Sequence, residues 1–294
     1  MKNKRDNKTR VHIIGSGPRC GTTLLFEAMK VCFDFDAAPE HEAPICQSRF
    51  DFAPTGRVLT KYPGEIDLIR WPLKLDPALI VICIIRDPRD MVVSTHGGHP
   101  GCYWASLKFW KLFLQHIGTV CGNPRFMLVR YEDLVTDPDR TQRSLRERFP
   151  FLSQKHPFSV YHEHANASEL SAAALNGVRP IQPMGIGAWR ANLPRVKQQI
   201  QLHGPIGESL IQFGYEKDRA WEDALDDVLP GNYETATNEF LEKGFANRRR
   251  RRNALAVTRL LIERAGLPSN TVLGPFRAAY RIIRVGRAGK KIAP

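Results

Sequence analysis

Apolar residues come in short β-branched runs separated by stretches with helical spacing. The first run, Val11–Ile14, ends in Gly15-Ser16-Gly17-Pro18, and helical composition follows from Thr22 to about Val31. Cys32–Ala37 and Arg57–Lys61 read as a second and third strand, Ala78–Ile85 (ALIVICII) as the clearest, and Arg125–Arg130 as a fifth. Helical patterns at Tyr103–Ile117 and Thr141–Phe149 lie between and after them. This alternation predicts an α/β fold, a parallel β-sheet flanked by helices. The all-apolar run at 78–85 predicts a strand covered on both faces. Residues 153–195, rich in Pro, Ala and Gly, read as loops laid over the sheet, and a helix near Val196–Phe213 follows. There is no internal repeat. Three regions result: a basic arm at 1–10, a domain at 11–218, and a helical, then strongly basic, extension at 219–294.

Composition adds bounds. The chain has 294 residues, 43% of them hydrophobic and 25% charged, enough for a real core. No apolar stretch approaches the roughly 20 residues of a membrane-spanning helix. The net charge of +13 is concentrated: residues 248–294 hold 13 basic residues and one acidic, Glu263, so the rest of the chain is nearly neutral. Nucleic acid is therefore not the expected partner of the domain. The six cysteines (Cys20, Cys32, Cys46, Cys83, Cys102 and Cys121) form no CxxC pair and no zinc-ligand spacing, so no metal is expected. The basic start, MKNKRDNKTR, runs straight into a strand rather than a signal-peptide apolar region. With free thiols, this sets the expectation of a cytoplasmic protein.

Candidate chemistry sits at two strand ends. Gly15 to Thr23 (GSGPRCGTT) joins a strand to a helix. Its glycines permit a tight turn with inward N–H groups, the helix start adds partial positive charge, and Thr22 and Thr23 bring hydroxyls. That is an anion cradle suited to a phosphate. It is not the G-x-x-x-x-G-K-[ST] loop of ATPases, because its cation is Arg19, inside the loop. The second site, Arg86-Asp87-Pro88-Arg89-Asp90-Met91-Val92-Val93-Ser94, follows the most buried strand. Asp87 suits a helix N-cap and Pro88 the first helical position. Ligands collect at the carboxyl ends of parallel strands, so both sites open on one edge. Together they suit a nucleotide with phosphates at two separated positions.

The pair GxPRxGTT and RDPRDxxxS resembles the signature of sulfotransferases that use 3′-phosphoadenosine 5′-phosphosulfate, PAPS. The resemblance covers about residues 11–217. It extends through Val129-Arg130-Tyr131-Glu132-Asp133-Leu134, Arg179-Pro180, Gly187-Ala188-Trp189-Arg190 and Phe213-Gly214-Tyr215. It implies a P-loop-like fold, PAPS as co-substrate, and transfer of a sulfuryl group to an acceptor hydroxyl. Pro18, Arg19, Cys20, Gly21, Thr22 and Thr23 would hold the 5′-phosphosulfate, Arg86 and Ser94 the 3′-phosphate. Arg179, Gly187 and Trp189 fall in a later segment that closes on the cofactor. Two departures stand out. Cys20 replaces the loop's usual serine, and beside Arg19 at a helix start its thiol is a candidate for unusual acidity; simple isosteric replacement is the blander reading. Thr60-Lys61-Tyr62-Pro63 lacks the histidine of the Lys-x-His found in cytosolic small-molecule members.

The base must then come from elsewhere. In carbohydrate and tyrosyl-protein members a glutamate about twenty residues after the loop serves, and the count from Gly21 reaches Glu40, with His41 and Glu42 adjacent. All three are candidates for the in-line transfer's general base, Arg19 and the threonine hydroxyls for leaving-group stabilisation. His96 and His99 compete as bases or line the acceptor entrance. Tyr103, Trp104, Phe109, Trp110 and Phe113 could stack on a sugar or ring, although their spacing equally suits a core. Carbohydrate is the expected acceptor.

In the extension, Arg248–Arg252 is an unbroken arginine run that also invites a nuclear-import reading. Phe276, Ala279, Tyr280 and Ile283 repeat at helical spacing opposite Arg277, Arg281 and Arg284. Such a helix suits an anionic membrane surface, hence peripheral attachment at the inner membrane surface; packing on the domain, or binding an acidic polymer, are the other readings. Two rival functions remain: a nucleotide or sugar kinase, and a non-catalytic binding module acting through this tail.

Overall fold

The computed structural model describes residues 8–45, 56–96 and 99–236, with isolated helical positions between 247 and 262. Its centre is a parallel sheet of strands β1 (Lys8–Gly15), β2 (Gly56–Lys61), β3 (Leu79–Ile85) and β4 (Phe126–Arg130), in the order β2-β1-β3-β4. The register sets Ile13 opposite Lys61 and Gly15 opposite Ile84, so the carboxyl ends of β1, β2 and β3 come out together. β3 is buried at every position, as an all-apolar run between two helical layers requires.

Helix α1 (Thr22–Cys32) packs its Leu25, Phe26 and Met29 side into the core. Helices α2 (Arg70–Leu75) and α3 (Pro88–Val93) flank β3 in sequence, and α4 (Leu107–Ile117) precedes β4. A small hairpin, Thr95–His96 with His99–Tyr103, links α3 to α4. Helices α5 (Tyr131–Thr136) and α6 (Pro138–Arg148) follow β4, and short helices α7 (Tyr161–His164) and α8 (Glu169–Leu175) lead to α9 (Leu193–His203) and α10 (Gly207–Gln212). Among the described residues no helix is long and apolar enough to cross a membrane.

Several boundaries differ from expectation. Cys32–Ala37 is not a strand. Cys32 ends α1, and Asp36 Oδ2 accepts the Arg57 amide at 2.6 Å while the Asp36 and Ala37 amides donate to the Arg57 carbonyl, wrapping the segment around the start of β2. Tyr103 closes the hairpin, so α4 starts only at Leu107. α6 begins earlier than read, at Pro138, because Asp137 caps it by accepting the Arg140 amide at 2.9 Å. The helix expected over 196–213 breaks in two at Gly204-Pro205, where Gly204 has φ +86° and the proline ring cannot continue a helix. The stretch at 153–195 carries short helices of its own. Ser94 closes α3 as its C-cap residue.

Residues 220–236 pack back on this unit. Trp221 meets Trp189 edge-on at 5.9 Å, and Ala236 donates to the Tyr103 carbonyl. Arg195, fully buried, reaches Val92 O, Ala105 O and Thr235 Oγ1 and so ties that strand-like end to α3 and α4. The basic arm is shorter than read: β1 starts at Lys8, and Arg10 is buried against Asp76 at 3.1 Å. Residues 1–7, Cys46, most of Arg248–Arg252 and the Phe276–Arg284 repeat lie outside the described residues.

Candidate functional site

The loop after β1 is shaped by close approaches. A Cβ on Gly15 would lie 2.1 Å from Cys20 Sγ, and one on Gly21, where φ is +98°, would lie 2.5 Å from the Tyr131 ring. Only glycine fits both demands at position 21. Arg19 adopts φ +65°. Its Nε donates to Ser94 Oγ at 3.1 Å and its NH1 to Ala174 O at 3.1 Å. Cys20 faces the other way, fully buried, with Sγ donating to Gly17 O at 2.8 Å. Burial pushes this thiol up to about 11, which favours the isosteric reading of Cys20 over an acidic thiol: desolvation outweighs the nearby positive charge of Arg86.

At the end of β3, Arg86 points back over the same loop. Its NH1 donates to Arg19 O at 2.9 Å and its NH2 to Gly185 O at 2.8 Å, while its guanidinium lies 4.4 Å from the Tyr131 ring centre. The N-cap is as read: Asp87 Oδ1 accepts the Arg89 amide at 2.9 Å. Arg89, by contrast, is structural. It pairs with Asp87 at 2.7 Å and Glu216 at 2.6 Å, between the Trp189 and Trp221 rings. Asp90 accepts the Gly187 and Trp189 amides at 2.7 and 3.0 Å. Gly187 and Trp189 therefore fasten the 179–187 segment from behind.

Arg19 and Arg86 form a corner of like charge. Among the described residues neither guanidinium has a carboxylate partner; both spend donors on neutral oxygens. The Arg19 guanidinium is pushed below its ordinary value, by burial first and by Arg86 second.

A third cation had no role assigned in the sequence, where it was quoted only for the histidine missing after it. Lys61, fully buried at the end of β2, donates to Thr23 Oγ1 at 3.0 Å and to Glu42 Oε1 at 3.3 Å. Burial lowers its pKa, and Glu42, then Glu27, act against that. The end of β2 adjoins the loop after β1, as Ile13 opposite Lys61 shows. The segment at 39–45 runs beside β2, with the Ala43 amide donating to Lys61 O. His41 Nδ1 lies 3.0 Å from Ser171 Oγ and its Nε2 3.8 Å from Glu42 Oε1. The Glu40 side chain is exposed, and its carbonyl accepts from Ser168 Oγ at 2.8 Å.

These groups surround a cavity of about 330 Å³. Pro18, Arg19, Gly21, Thr22, Thr23, His41, Glu42, Arg86, Tyr131 and Arg179 line it; Tyr62, Trp104 and Phe109, with Pro63 and Gly64, form a part of its wall rich in aromatic rings. Cys20, Glu40, Lys61, Ser94, Gly187 and Trp189 are not among its lining residues; Lys61 reaches it only through the Thr23 hydroxyl and Glu42. Ser94 acts through Arg19 and Cys20 supports the loop from below. Of the aromatic set, Trp110 and Phe113 are core, stacked at 5.1 Å, and Tyr103 packs on Arg195. The His96 and His99 side chains lie outside the described residues. Among the described residues no cluster of His, Cys, Asp and Glu is suited to a metal.

No family model matches the sequence, and no curated protein does. In structure, the chain is similar to sulfotransferases. One is the sulfotransferase domain from the Synechococcus PCC 7002 olefin synthase, 16% identical, covering 65% of this chain and 90% of that one, with a TM-score of 0.41. Another is the sulfotransferase domain from the curacin biosynthetic pathway, 13% identical, covering 72% and 99%, at 0.43. A third is mouse sulfotransferase SULT7A1 complexed with PAP, 13% identical, covering 70% and 88%, at 0.40.

Proposed function

We propose that this chain is a sulfotransferase that uses PAPS and acts on a ring-borne hydroxyl. The observation that carries the reading is the Arg19–Arg86 corner: two cations, Arg19 partly buried and Arg86 buried, held against neutral oxygens. Like charges out of water are costly without a counter-charge, and a phosphate dianion supplies it with bidentate geometry. The glycine loop and helix start give a second anion position, with Lys61 and Thr23 beside it. Two separated anion positions fit a 3′,5′-bisphosphorylated nucleotide. PAPS, when bound, supplies the sulfuryl group.

The protein's part is then positioning and charge. The Thr22 and Thr23 hydroxyls donate to oxygens on the 5′ side, and Lys61, bound to Thr23 Oγ1, adds positive charge behind them. Arg86 and Arg19 hold the 3′ side, which moves Arg19 away from the catalytic role expected of it. His41 and Glu42 reach the cavity and supply the base; Glu40 is turned to solvent. The wall of Tyr62, Trp104 and Phe109 supports a ring lying flat against it. Sugar and aromatic rings both stack this way, and carbohydrate is the acceptor the sequence points to.

The test is transfer from labelled PAPS to a panel of sugars and phenols without magnesium. Labelled product that disappears in Arg86→Ala is the expected result. Transfer only from ATP, and only with magnesium, would support the kinase instead.

A further inference from the structure

Lys61 has none of its side chain exposed, and an ammonium can only donate. Thr23 Oγ1 takes one of its protons at 3.0 Å and Glu42 Oε1 another at 3.3 Å. Thr23 and Glu42 line the cavity, whereas Lys61 stands behind them. A buried cation is costly without a counter-charge, so the pair keeps Oε1 turned back toward β2. His41 Nε2 faces the same oxygen, at 3.8 Å. A carboxylate is planar with two accepting oxygens, so holding Oε1 also sets the direction of Oε2. Among the described residues Oε2 has no partner, and the Glu42 side chain is 32% exposed, open to an incoming group that cannot reach Lys61.

We propose that Lys61 is a positioning residue that anchors Glu42 by Oε1, so that Oε2 is the atom that takes the acceptor's proton. The pair then stands in for the histidine that Thr60-Lys61-Tyr62-Pro63 lacks. This rests on the sulfotransferase reading for its chemistry, though not for the anchoring. As the acceptor O–H bond breaks, its proton goes to Glu42 Oε2, and the oxygen forms a bond to sulfur. The bond between sulfur and the 5′-phosphate oxygen breaks, and its electron pair leaves on that phosphate. Protonation cancels the charge of Glu42 without stranding Lys61. Glu27, fully buried one turn beyond Thr23 in α1, is a second carboxylate that favours the charged ammonium, and its Oε1 has no hydrogen-bond partner among the described residues. The phosphate gains the charge that Glu42 loses, on the Thr23 side of the same ammonium. The division of labour among the three candidates follows: Glu42 takes the proton, His41 flanks Oε1, and Glu40 stays turned to solvent.

Carbon-13 spectra of the full chain, labelled at the glutamate carboxyls, test the anchoring without an acceptor. The Glu42 signal is the one missing in Glu42→Gln. Removing a neighbouring cation disfavours the carboxylate, so this signal should titrate at higher pH in Lys61→Met than in the wild type. An unmoved titration overturns the proposal. Transfer tests the consequence, with phenol compared against para-nitrophenol at a pH where the latter is its phenolate. The phenolate has no proton to give up. Lys61→Met and Glu42→Gln should each lower kcat about 100-fold more for phenol than for the phenolate, and the double variant no further. Equal losses on both acceptors would place Lys61 on the phosphosulfate instead and overturn the proposal, as would full transfer to phenol in Glu42→Gln. Calorimetry with 3′-phosphoadenosine 5′-phosphate, PAP, on the same samples separates the two readings. PAP binding retained in Lys61→Met shows the fold is intact, whereas a wild type that does not bind PAP fails the sulfotransferase reading and leaves the carboxyl titration to decide the anchoring.

Discussion

Arg19 and Arg86 gain little from the oxygens they now hold, because a neutral carbonyl balances no charge. A phosphate in their place would, and charge-assisted hydrogen bonds contribute about 1.5–3 kcal/mol each. Arg86→Ala should therefore weaken PAP binding by about 10- to 150-fold, read by calorimetry. Arg19→Ala should weaken it less for a ligand lacking the 3′-phosphate, since Arg19 is bound to Ser94 and not turned into the loop. Cys20 gives a prediction of the opposite kind. Its raised pKa means the neutral thiol prevails below about 11, so iodoacetamide at neutral pH should spare it in the folded protein. Peptide mapping after alkylation reads this directly; rapid Cys20 labelling would contradict the buried placement.

Among the elements, α3 shows how a short helix is made rigid. Asp87 caps it, Pro88 fixes its first turn, and Asp87 also neutralises Arg89 between two tryptophans. Asp87→Ala removes the cap and strands a buried guanidinium, which should cost about 3–5 kcal/mol in urea unfolding. A loss below 1 kcal/mol would mean that Glu216 alone suffices for Arg89. The strands β1, β2, β3 and β4 were legible from sequence because β-branched runs between breakers have few alternatives. Asp87-Pro88 was legible because cap chemistry is local. The false strand at 32–37 was apolar at alternate places, but Asp34 and Asp36 act as turn formers, and Asp36 takes its partner from a segment 21 residues on. The contacts of Lys61 were illegible for a related reason. It meets Thr23 and Glu42 only when β2 lies beside β1 and residues 39–45 run beside β2, and no local spacing encodes either contact.

At the scale of the whole molecule, the packed unit runs to Ala236, held by Trp221, Arg195 and the Tyr103 pairing. A chain ending after Ala236 should unfold in one cooperative step and bind PAP as the full chain does. One ending after Asp218 should lose several kcal/mol, because it removes the buried Trp221 and Leu225, uncovers Trp189 and Arg89, and strips Arg195 of Thr235. Denaturation curves for the two truncations distinguish them. If removal of residues 237–294 abolished nucleotide binding, the basic extension would belong to the site.

The central claim is that the Arg19–Arg86 corner recognises a 3′-phosphate. The most direct measurement is calorimetry of PAP against adenosine 5′-phosphate, without magnesium, on the wild type and Arg86→Ala. The account predicts that PAP binds at least 100-fold tighter than adenosine 5′-phosphate, about 2.7 kcal/mol, and that Arg86→Ala closes most of this gap. Equal affinity for the two nucleotides in the wild type would contradict it.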